Sequence, residues 1–147
     1  MSTLSIQRLE EAAAGWVGTP FVEHSAVRGV GVCCHKLAAS IYFDAGWLPR
    51  FELPSAPPGW SRAQDRSLME EWLDSEGLRW FTPMTIEVER EPGDLLGFRI
   101  GRCVHHLAIQ LSGGRVATAL EGVGAVILDA PPKPLAKRLA RVWRPRE

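Results

Sequence analysis

The stretch that decides the fold is "GVCCHKLAASIYFDAG", residues 31–46. It has two adjacent cysteines and a histidine directly before a run of helix-forming residues, and Gly46 follows that run. We therefore predict a helix from Cys34 to Ala45. A cysteine here is a nucleophile, a metal ligand or a small buried side chain. The stretch alone favours buried side chains, because free cysteines are usually buried.

The predicted helix places Cys34 on the face that packs against the rest of the protein. That face consists of Cys34, Leu37, Ala38, Ile41 and Ala45. Cys34 also lies in the first helical turn, where free N–H groups and the helix dipole favour a thiolate. The same N–H groups stabilise an oxyanion, so Cys34 is the better candidate nucleophile. Cys33 precedes the helix and lies about 100° around its axis.

Helical patterns dominate the first half of the chain and short β-type runs dominate the second. Helices are predicted at 5–17 and at 61–77, the latter capped by Ser61, with a proline-rich surface connection at 48–60. An antiparallel meander is predicted from the runs 94–100, 104–111, 115–121 and 124–129, with 138–143 as a candidate further strand. Helices followed by strands predict an α+β fold in a single domain over residues 1–147.

Strand alternation distinguishes the two adjacent histidines of "CVHHLAIQL", residues 103–111. His105 shares its face with large apolar residues, which predicts the core face. His106 shares its face with the small Ala108, which leaves room for a ligand or a helix terminus. His106 is therefore the better candidate for a catalytic base. For either histidine, the alternative is a partly buried imidazole with a hydrogen-bonding partner.

The overall composition argues against several classes of function. Seventeen basic residues balance seventeen acidic ones, which argues against nucleic acid as a partner. No apolar stretch has membrane-spanning length, and the N-terminal residues lack the layout of a signal peptide. Three cysteines are too few for a disulfide scaffold and favour a reducing compartment. We expect no nucleic-acid binding, no membrane insertion and synthesis in the cytoplasm.

A metal site is the weakest alternative for the cysteines and histidines. Its candidate ligands are Cys33, Cys34, His35, Cys103, His105 and His106. Adjacent residues rarely bind one ion together, and neither C-x-x-C nor H-x-x-x-H spacing is present. We therefore expect neither a metal ion nor another cofactor.

The order of the motifs resembles the NlpC-type cell-wall peptidases, which are papain-like cysteine endopeptidases of peptidoglycan. The resemblance is strongest to the compact versions on phage tails and gene transfer agents, and it covers residues 8 to about 144. The family's Gly-Thr-Pro-Tyr, Asp-Cys-Ser-Gly-Leu, Pro-Gly-Asp-Leu and His-Val-Gly-Ile motifs match Gly18–Phe21, Cys33–Leu37, Pro92–Leu95 and His106–Ile109, respectively. Gly46 and the turn at Gly113 and Gly114 also match.

The resemblance implies a papain-like fold, with the Cys34 helix packed on an antiparallel sheet that carries His106. It implies that Cys34 is the nucleophile, His106 the base and Thr118 the third catalytic residue. Phe21, Cys33 and His35 would contact the substrate, a peptide of peptidoglycan.

Four positions depart from the family pattern. Phe21 replaces a tyrosine, Cys33 an aspartate and Lys36 a glycine, and Thr118 stands where the family has histidine. A threonine hydroxyl can hold an imidazole N–H, but it stabilises an imidazolium less than a charged partner would. Two functions therefore remain open: a cysteine peptidase, and a structural tail-tip protein that has kept the fold after catalysis decayed.

The resemblance also implies a location. The family's substrate lies outside the cytoplasm, and a protein carried in the tail of a phage or phage-like particle would reach it. We therefore expect contacts with tail hub or tip proteins. The candidate docking surfaces are the segment 48–60 with Trp60, and the basic C-terminal segment near Trp143.

Overall fold

The computed structural model describes residues 3–53 and 67–146. The helices of these residues are α1 (Thr3–Trp16), α2 (Cys34–Asp44), α3 (Leu68–Leu73) and α4 (Lys133–Ala136). The strands are β1 (Ala26–Val27), β2 (Gly31–Val32), β3 (Phe81–Met84), β4 (Leu95–Ile100), β5 (Cys103–Gln110), β6 (Val116–Leu120), β7 (Gly124–Leu128) and β8 (Leu139–Pro145). Helices precede most of the strands, so the predicted α+β class is confirmed.

An antiparallel sheet forms the centre of the described chain, with the strand order β3-β8-β4-β5-β6-β7. The predicted meander is present as the consecutive strands β4 to β7. The candidate strand at 138–143 is β8, which lies between β3 and β4 rather than at the end of the meander. Strand β3 was not predicted because it contains Pro83; as an edge strand it tolerates a residue without an N–H.

Helix α2 packs against the sheet through the predicted apolar face. Its buried residues join one core cluster with side chains from β5 and β6, among them Leu107, Ile109, Ala117 and Ala119. The opposite face of the sheet carries a second cluster, in which Ala108 and Phe98 are buried. Because both faces are covered, the face that carries His106 is also largely dry.

The predicted helix at 61–77 is shorter in the structure. Its proposed cap, Ser61, lies outside the described residues. Helix α3 begins after Ser67, whose Oγ accepts a hydrogen bond from the N–H of Glu70 at 3.1 Å. This arrangement matches the spacing of a capping box, which explains the start of the helix. After α3 the chain continues as a 3₁₀ turn over Glu76–Arg79.

Two glycines allow turns to approach other parts of the chain closely. Gly93 has φ +100°, and a Cβ there would lie 2.3 Å from the indole of Trp47. Gly124 has φ +103°, and a Cβ there would lie 2.4 Å from the carbonyl oxygen of Thr19. The turn between β6 and β7 can therefore close on the segment that follows α1.

The aromatic residues considered for docking are mostly part of the core. Trp143 is fully buried, and its indole N–H donates to Asp74 at 3.2 Å, so it is not a docking residue. Phe51 stacks with Trp72 and Trp80 rather than lying free on a surface connection. Trp60 lies outside the described residues. Within the described residues, no helix has both the length and the apolarity needed to cross a membrane.

Candidate active site

Cys34 is the first residue of α2 and is 8% exposed. Cys33 is the N-cap residue of α2, but its side chain accepts no hydrogen bond from the helix. The N–H groups of the first turn are therefore not used by a capping side chain. The N–H groups of Cys34 and His35 point toward the sulfur and favour its anion. The N-terminal end of α2 therefore presents a thiol together with donors for a negative charge.

The sulfur of Cys34 meets β5 on both sides of His106. Its Sγ donates to the carbonyl oxygen of His105 at 3.6 Å, and the N–H of Leu107 points toward the sulfur. Pairing between β5 and β6 covers Ala108 to Gln110 and Val116 to Thr118, so the carbonyl of His105 and the N–H of Leu107 lie beyond the last paired residue of β5. Cys34 fits into the opening where these two strands separate.

Thr118 lies beside His106 at the same opening. Its hydroxyl donates to the carbonyl oxygen of Leu107 at 2.8 Å, and its Oγ1 lies 2.8 Å from His106 Nε2. A hydroxyl has one proton, so Oγ1 must accept from an Nε2–H. Thr118 thereby holds the neutral imidazole in the tautomer whose basic nitrogen is Nδ1. Cys34 and the His106–Thr118 pair therefore contact neighbouring peptide groups of the segment 105–107, but no hydrogen bond joins Cys34 to His106. The His106 ring lies 5.9 Å from the ring of Phe98 in the second core cluster, whereas Cys34 belongs to the first.

Burial keeps both reactive groups uncharged. Desolvation raises the pKa of the Cys34 thiol to about 11, although the Leu107 N–H acts in the opposite direction. Desolvation lowers the pKa of His106 to about 4. The helix start was expected to favour a thiolate, but in the structure the loss of water outweighs the N–H groups. At neutral pH the resting pair is a thiol and a neutral imidazole.

Comparisons with known proteins concern the fold of the chain rather than the individual residues of the site. No protein-family model matches the chain, and no curated protein matches its sequence. Several solved structures match with probability 1.00. A lipoprotein-like NLP/P60 family protein from Staphylococcus aureus has a TM-score of 0.66 and 22% identity over 98% of this chain. The NlpC/P60 domain of the peptidoglycan hydrolase SagA has a TM-score of 0.57 and 16% identity over 93% of this chain.

A third neighbour, an NlpC/P60 family protein from Bacillus cereus, has a TM-score of 0.61 and 17% identity over 93% of this chain. This chain has the NlpC-type, papain-like fold. It spans 42% and 39% of the staphylococcal and Bacillus chains, but 96% of the SagA domain. The matching unit is therefore the NlpC-type domain itself.

The other cysteines and histidines form separate pairs within the NlpC-type fold. Cys33 Sγ lies 3.6 Å from His35 Nδ1, and Cys103 Sγ lies 2.9 Å from His105 Nε2. His105 is left out of the pairing of β4 with β5, because Phe98 pairs with His106 and the next residue of β4 pairs with Val104. This bulge removes His105 from the strict alternation that the sequence argument assumed.

The metal alternative receives no support from the described chain. Across residues 3–53 and 67–146, no group of three or more His, Cys, Asp or Glu side chains is arranged to hold a metal ion. The predicted ligands lie in pairs or contact backbone instead.

The residues that depart from the family pattern lie close to Cys34 in the chain or the fold. Phe21 is half-buried and bridges to Val32, two residues before Cys34. Lys36 donates from Nζ to the carbonyl oxygen of His24 at 2.9 Å. Lys36 therefore ties the loop before β1 to the start of α2, a role that glycine has no side chain to perform.

Two parts of the site were not predicted from the sequence. One is the backbone of β5, which contacts Cys34 through His105 and Leu107. Backbone contacts leave no signal in residue type, so the sequence could not have indicated them. The other is an apolar cavity of about 100 Å³ between α2 and α3, lined by His35, Ala38 and Leu107 among others. The small Ala38 and Ala39 side chains of α2 were the only hint of it.

Proposed function

We propose that the protein is a cysteine endopeptidase that hydrolyses amide bonds in the stem peptides of peptidoglycan. The observation that carries this proposal is that Cys34, at the start of α2, and the hydrogen-bonded pair of His106 and Thr118 contact neighbouring peptide groups of one segment of β5. A nucleophile, a base and a group that orients the base are the parts that acyl transfer through a cysteine requires. The shared fold with the domain of a peptidoglycan hydrolase favours this substrate over other peptides.

In the proposed reaction, His106 Nδ1 takes the proton of the Cys34 thiol as the sulfur attacks the amide carbonyl. The resulting oxyanion is stabilised by the N–H groups at the start of α2. Collapse of the tetrahedral intermediate breaks the C–N bond, and the leaving amine takes the proton from His106. Water, deprotonated by His106, then attacks the thioester and releases the acid product and the free thiol.

The pKa values of Cys34 and His106 before substrate binds determine when the proton is transferred. A thiol with a pKa of about 11 and an imidazole with a pKa of about 4 do not form an ion pair at neutral pH. Proton transfer must therefore accompany attack, and no charged side chain of the described residues pairs with the imidazolium that forms. A peptidase built in this way is slow compared with one that has a preformed thiolate.

A second candidate is a structural domain that has kept the NlpC-type fold. Its support is the same burial, since an inert thiol is usually buried and has a raised pKa. It is also favoured by Thr118 in place of a charged or more basic orienting residue.

Digestion of peptidoglycan fragments distinguishes these two candidates. Purified protein would be incubated with muropeptides, and the products separated by liquid chromatography and identified by mass spectrometry. The peptidase proposal expects new fragments with wild-type protein and none with Cys34→Ala. If wild-type protein produces no new fragments over days at micromolar concentration, the structural candidate is favoured.

We also propose that the protein works in the tail of a phage-like particle, where it would contact hub or tip proteins. This placement rests on the sequence resemblance and on the extracellular position of the substrate. Affinity purification from lysates that contain particles tests it. Recovery of tail proteins with the tagged chain would support the proposal, and recovery of the chain only as a free monomer would reject it.

A further inference from the structure

A second thiol lies close to an imidazole at the start of β5. Cys103 Sγ is 2.9 Å from His105 Nε2. The corresponding distance in the Cys33–His35 pair is 3.6 Å, and Cys34 Sγ donates to a backbone carbonyl. Of the three cysteines in the chain, Cys103 therefore has the shortest hydrogen bond to an imidazole.

The contact between Cys103 and His105 depends on the bulge in β5. Phe98 pairs with His106 and the next residue of β4 pairs with Val104, so His105 is the extra residue of the bulged strand. A bulge bends its strand and changes the direction of the extra side chain. The ring of His105 can therefore approach a thiol that lies two residues earlier in the same strand.

A cavity of about 480 Å³ lies beside Cys103, between α3 and the hairpin of β4 and β5. Cys103 is one of the residues that line it, although only 5% of Cys103 is exposed. A cavity of this volume admits a reagent that is little larger than water, such as hydrogen peroxide. The buried thiol is therefore open to small reagents.

The charges around this cavity favour a thiolate at Cys103. Among the described residues, Arg99 and Arg102 line the cavity together with three acids. Two of these acids, Glu70 and Asp74, are bound by an arginine of β8. The two arginines therefore outweigh the third acid, Glu71. Arginines near a cysteine favour its anion, which is the form that reacts with oxidants.

We propose that Cys103 is a reactive thiol distinct from Cys34, which hydrogen peroxide oxidises to a sulfenic acid with His105 as the base. Burial lowers the pKa of His105, so its imidazole is neutral at pH 7 and Nε2 can accept the thiol proton. The sulfur attacks one oxygen of the peroxide, so that an S–O bond forms and the O–O bond breaks. The leaving hydroxide takes the proton from His105 and departs as water. The sulfur loses two electrons to the peroxide.

Oxidation of Cys103 would also affect Cys34, because both thiols contact His105. Cys103 contacts the ring of His105, and Cys34 Sγ donates to its carbonyl oxygen at 3.6 Å. An oxygen added to Cys103 Sγ replaces the direct contact between sulfur and ring, so we expect the bulged residue to shift. The Cys34 thiol then loses its acceptor, which favours the thiolate.

Trapping of the sulfenic acid tests the proposal on the full-length protein. The protein would be treated with hydrogen peroxide and dimedone, which traps sulfenic acids, and then digested with trypsin. One tryptic peptide, residues 29–36, contains Cys33 and Cys34. Another, residues 103–115, contains Cys103. Fragmentation of the peptides by mass spectrometry identifies the labelled cysteine.

We expect the adduct to form on Cys103 at least about 10-fold faster than on either of the other cysteines. In urea, which removes the contacts made by folding, the three rates should be similar. Similar rates in the folded protein would overturn the proposal. A preference for Cys103 that persists in urea would also overturn it, because the fold would then not be its cause.

Replacement of His105 tests its role as the base. His105→Gln keeps a polar side chain but cannot accept a proton, so trapping at Cys103 should slow at least about 10-fold. The matched control is His35→Gln, which changes the histidine of the other pair and should leave trapping at Cys103 unchanged. An unchanged rate in His105→Gln would overturn the proposal. If a variant does not fold, the comparison of the three cysteines in the wild-type protein decides.

Alkylation of Cys34 tests the connection between the two thiols. Iodoacetamide should label Cys34 about 5-fold faster after brief oxidation of the protein, because its thiol has lost one acceptor. In Cys103→Ala, the same treatment should leave the rate unchanged. Equal rates before and after oxidation of the wild-type protein would overturn the connection. Neither measurement requires cleavage of muropeptides, so failure here is distinguished from failure of the proposed peptidase function.

Discussion

Two groups of ionisable side chains on this sheet differ in what sets their protonation. At the opening between β5 and β6, Cys34 and His106 have pKa values shifted mainly by burial, and neither pairs with a charged side chain of the described residues. In the other half of the sheet, where β8 lies between β3 and β4, Arg141 and Arg144 are paired with acids. The Arg141 guanidinium holds the pKa of Asp74 below its usual value.

The difference indicates which group stabilises the fold and which is available for chemistry. Arg144 donates two hydrogen bonds to Asp94, a carboxylate that is 1% exposed, and Arg141 joins β8 to α3 through Glu70 and Asp74. These ion pairs keep both partners charged and hold their side chains at fixed positions in the fold. Cys34 and His106 are instead kept neutral by burial, which is the state that the proposed proton transfer requires.

The largest expected effect is a loss of activity when Cys34 is replaced. Cys34→Ala should reduce kcat on muropeptides by at least about 10³-fold, because the proposed reaction loses its nucleophile. Its free energy of unfolding should change by only about 1 kcal/mol, since no ion pair is lost. The matched control is Cys103→Ala, a buried cysteine elsewhere on β5, which should keep activity. Equal activity of the two variants would show that Cys34 is not the nucleophile.

At the ion pairs of Arg141 and Arg144 we expect the reverse: a loss of stability without a loss of activity. Asp94→Asn should reduce the free energy of unfolding by about 3 kcal/mol, because Arg144 loses its buried counter-charge. The kcat should be unchanged, since Asp94 lies away from the opening. Asp129→Asn, at an exposed acid after β7, is the control for both measurements. Chemical denaturation gives the free energy, and a loss of kcat with the fold intact would contradict the division of roles.

The sequence indicated the burial and strand face of the candidate site residues better than it indicated the paired group. The periodicity of α2 placed Cys34 on the buried face, and alternation along β5 separated His106 from Leu107 and Ile109. Both patterns report side-chain direction, which sequence spacing determines. The opening itself depends on where β5 and β6 stop pairing, and this is a property of backbone geometry that residue types do not indicate.

The paired group was missed because its partners are far apart in sequence. The basic C-terminal segment reads as a solvated face, yet Arg141 reaches Glu70 and Asp74, about 70 residues away in the chain. Trp143 was a candidate for docking, but β8 inserts between β3 and β4 and buries it completely. Strand order, rather than local pattern, decides these contacts.

The dependence of stability on pH should distinguish groups whose pKa is shifted by burial from groups whose pKa is shifted by an ion pair. His106 has a pKa of about 4 in the folded protein and about 6.5 when unfolded, so the unfolded state binds the proton first as pH falls. The stability from the neutral form is complete above pH 6.5 and is lost between pH 6.5 and about 4. The loss attributable to His106 is at most about 3 kcal/mol.

Comparison with His106→Gln isolates this contribution. Glutamine keeps an N–H donor for Thr118 but does not titrate, so its stability should fall less over the same interval. The difference in free energy of unfolding between the two proteins, measured by denaturation at several pH values, should therefore change between pH 7 and pH 4. Parallel curves would show that burial does not set the pKa of His106.

The smallest effect concerns the hydroxyl that orients His106. Thr118→Val keeps the shape of the side chain but removes both the acceptor for Nε2–H and the donor for the Leu107 carbonyl. We expect kcat to fall about 10-fold, and the ¹⁵N shifts of the His106 ring to change from the Nε2–H tautomer to a mixture. Thr118→Ser, which keeps the hydroxyl, should retain both the tautomer and most of the rate. If valine leaves the ¹⁵N shifts and the rate unchanged, burial alone fixes the imidazole, and Thr118 has only a structural role in the strand pair of β5 and β6.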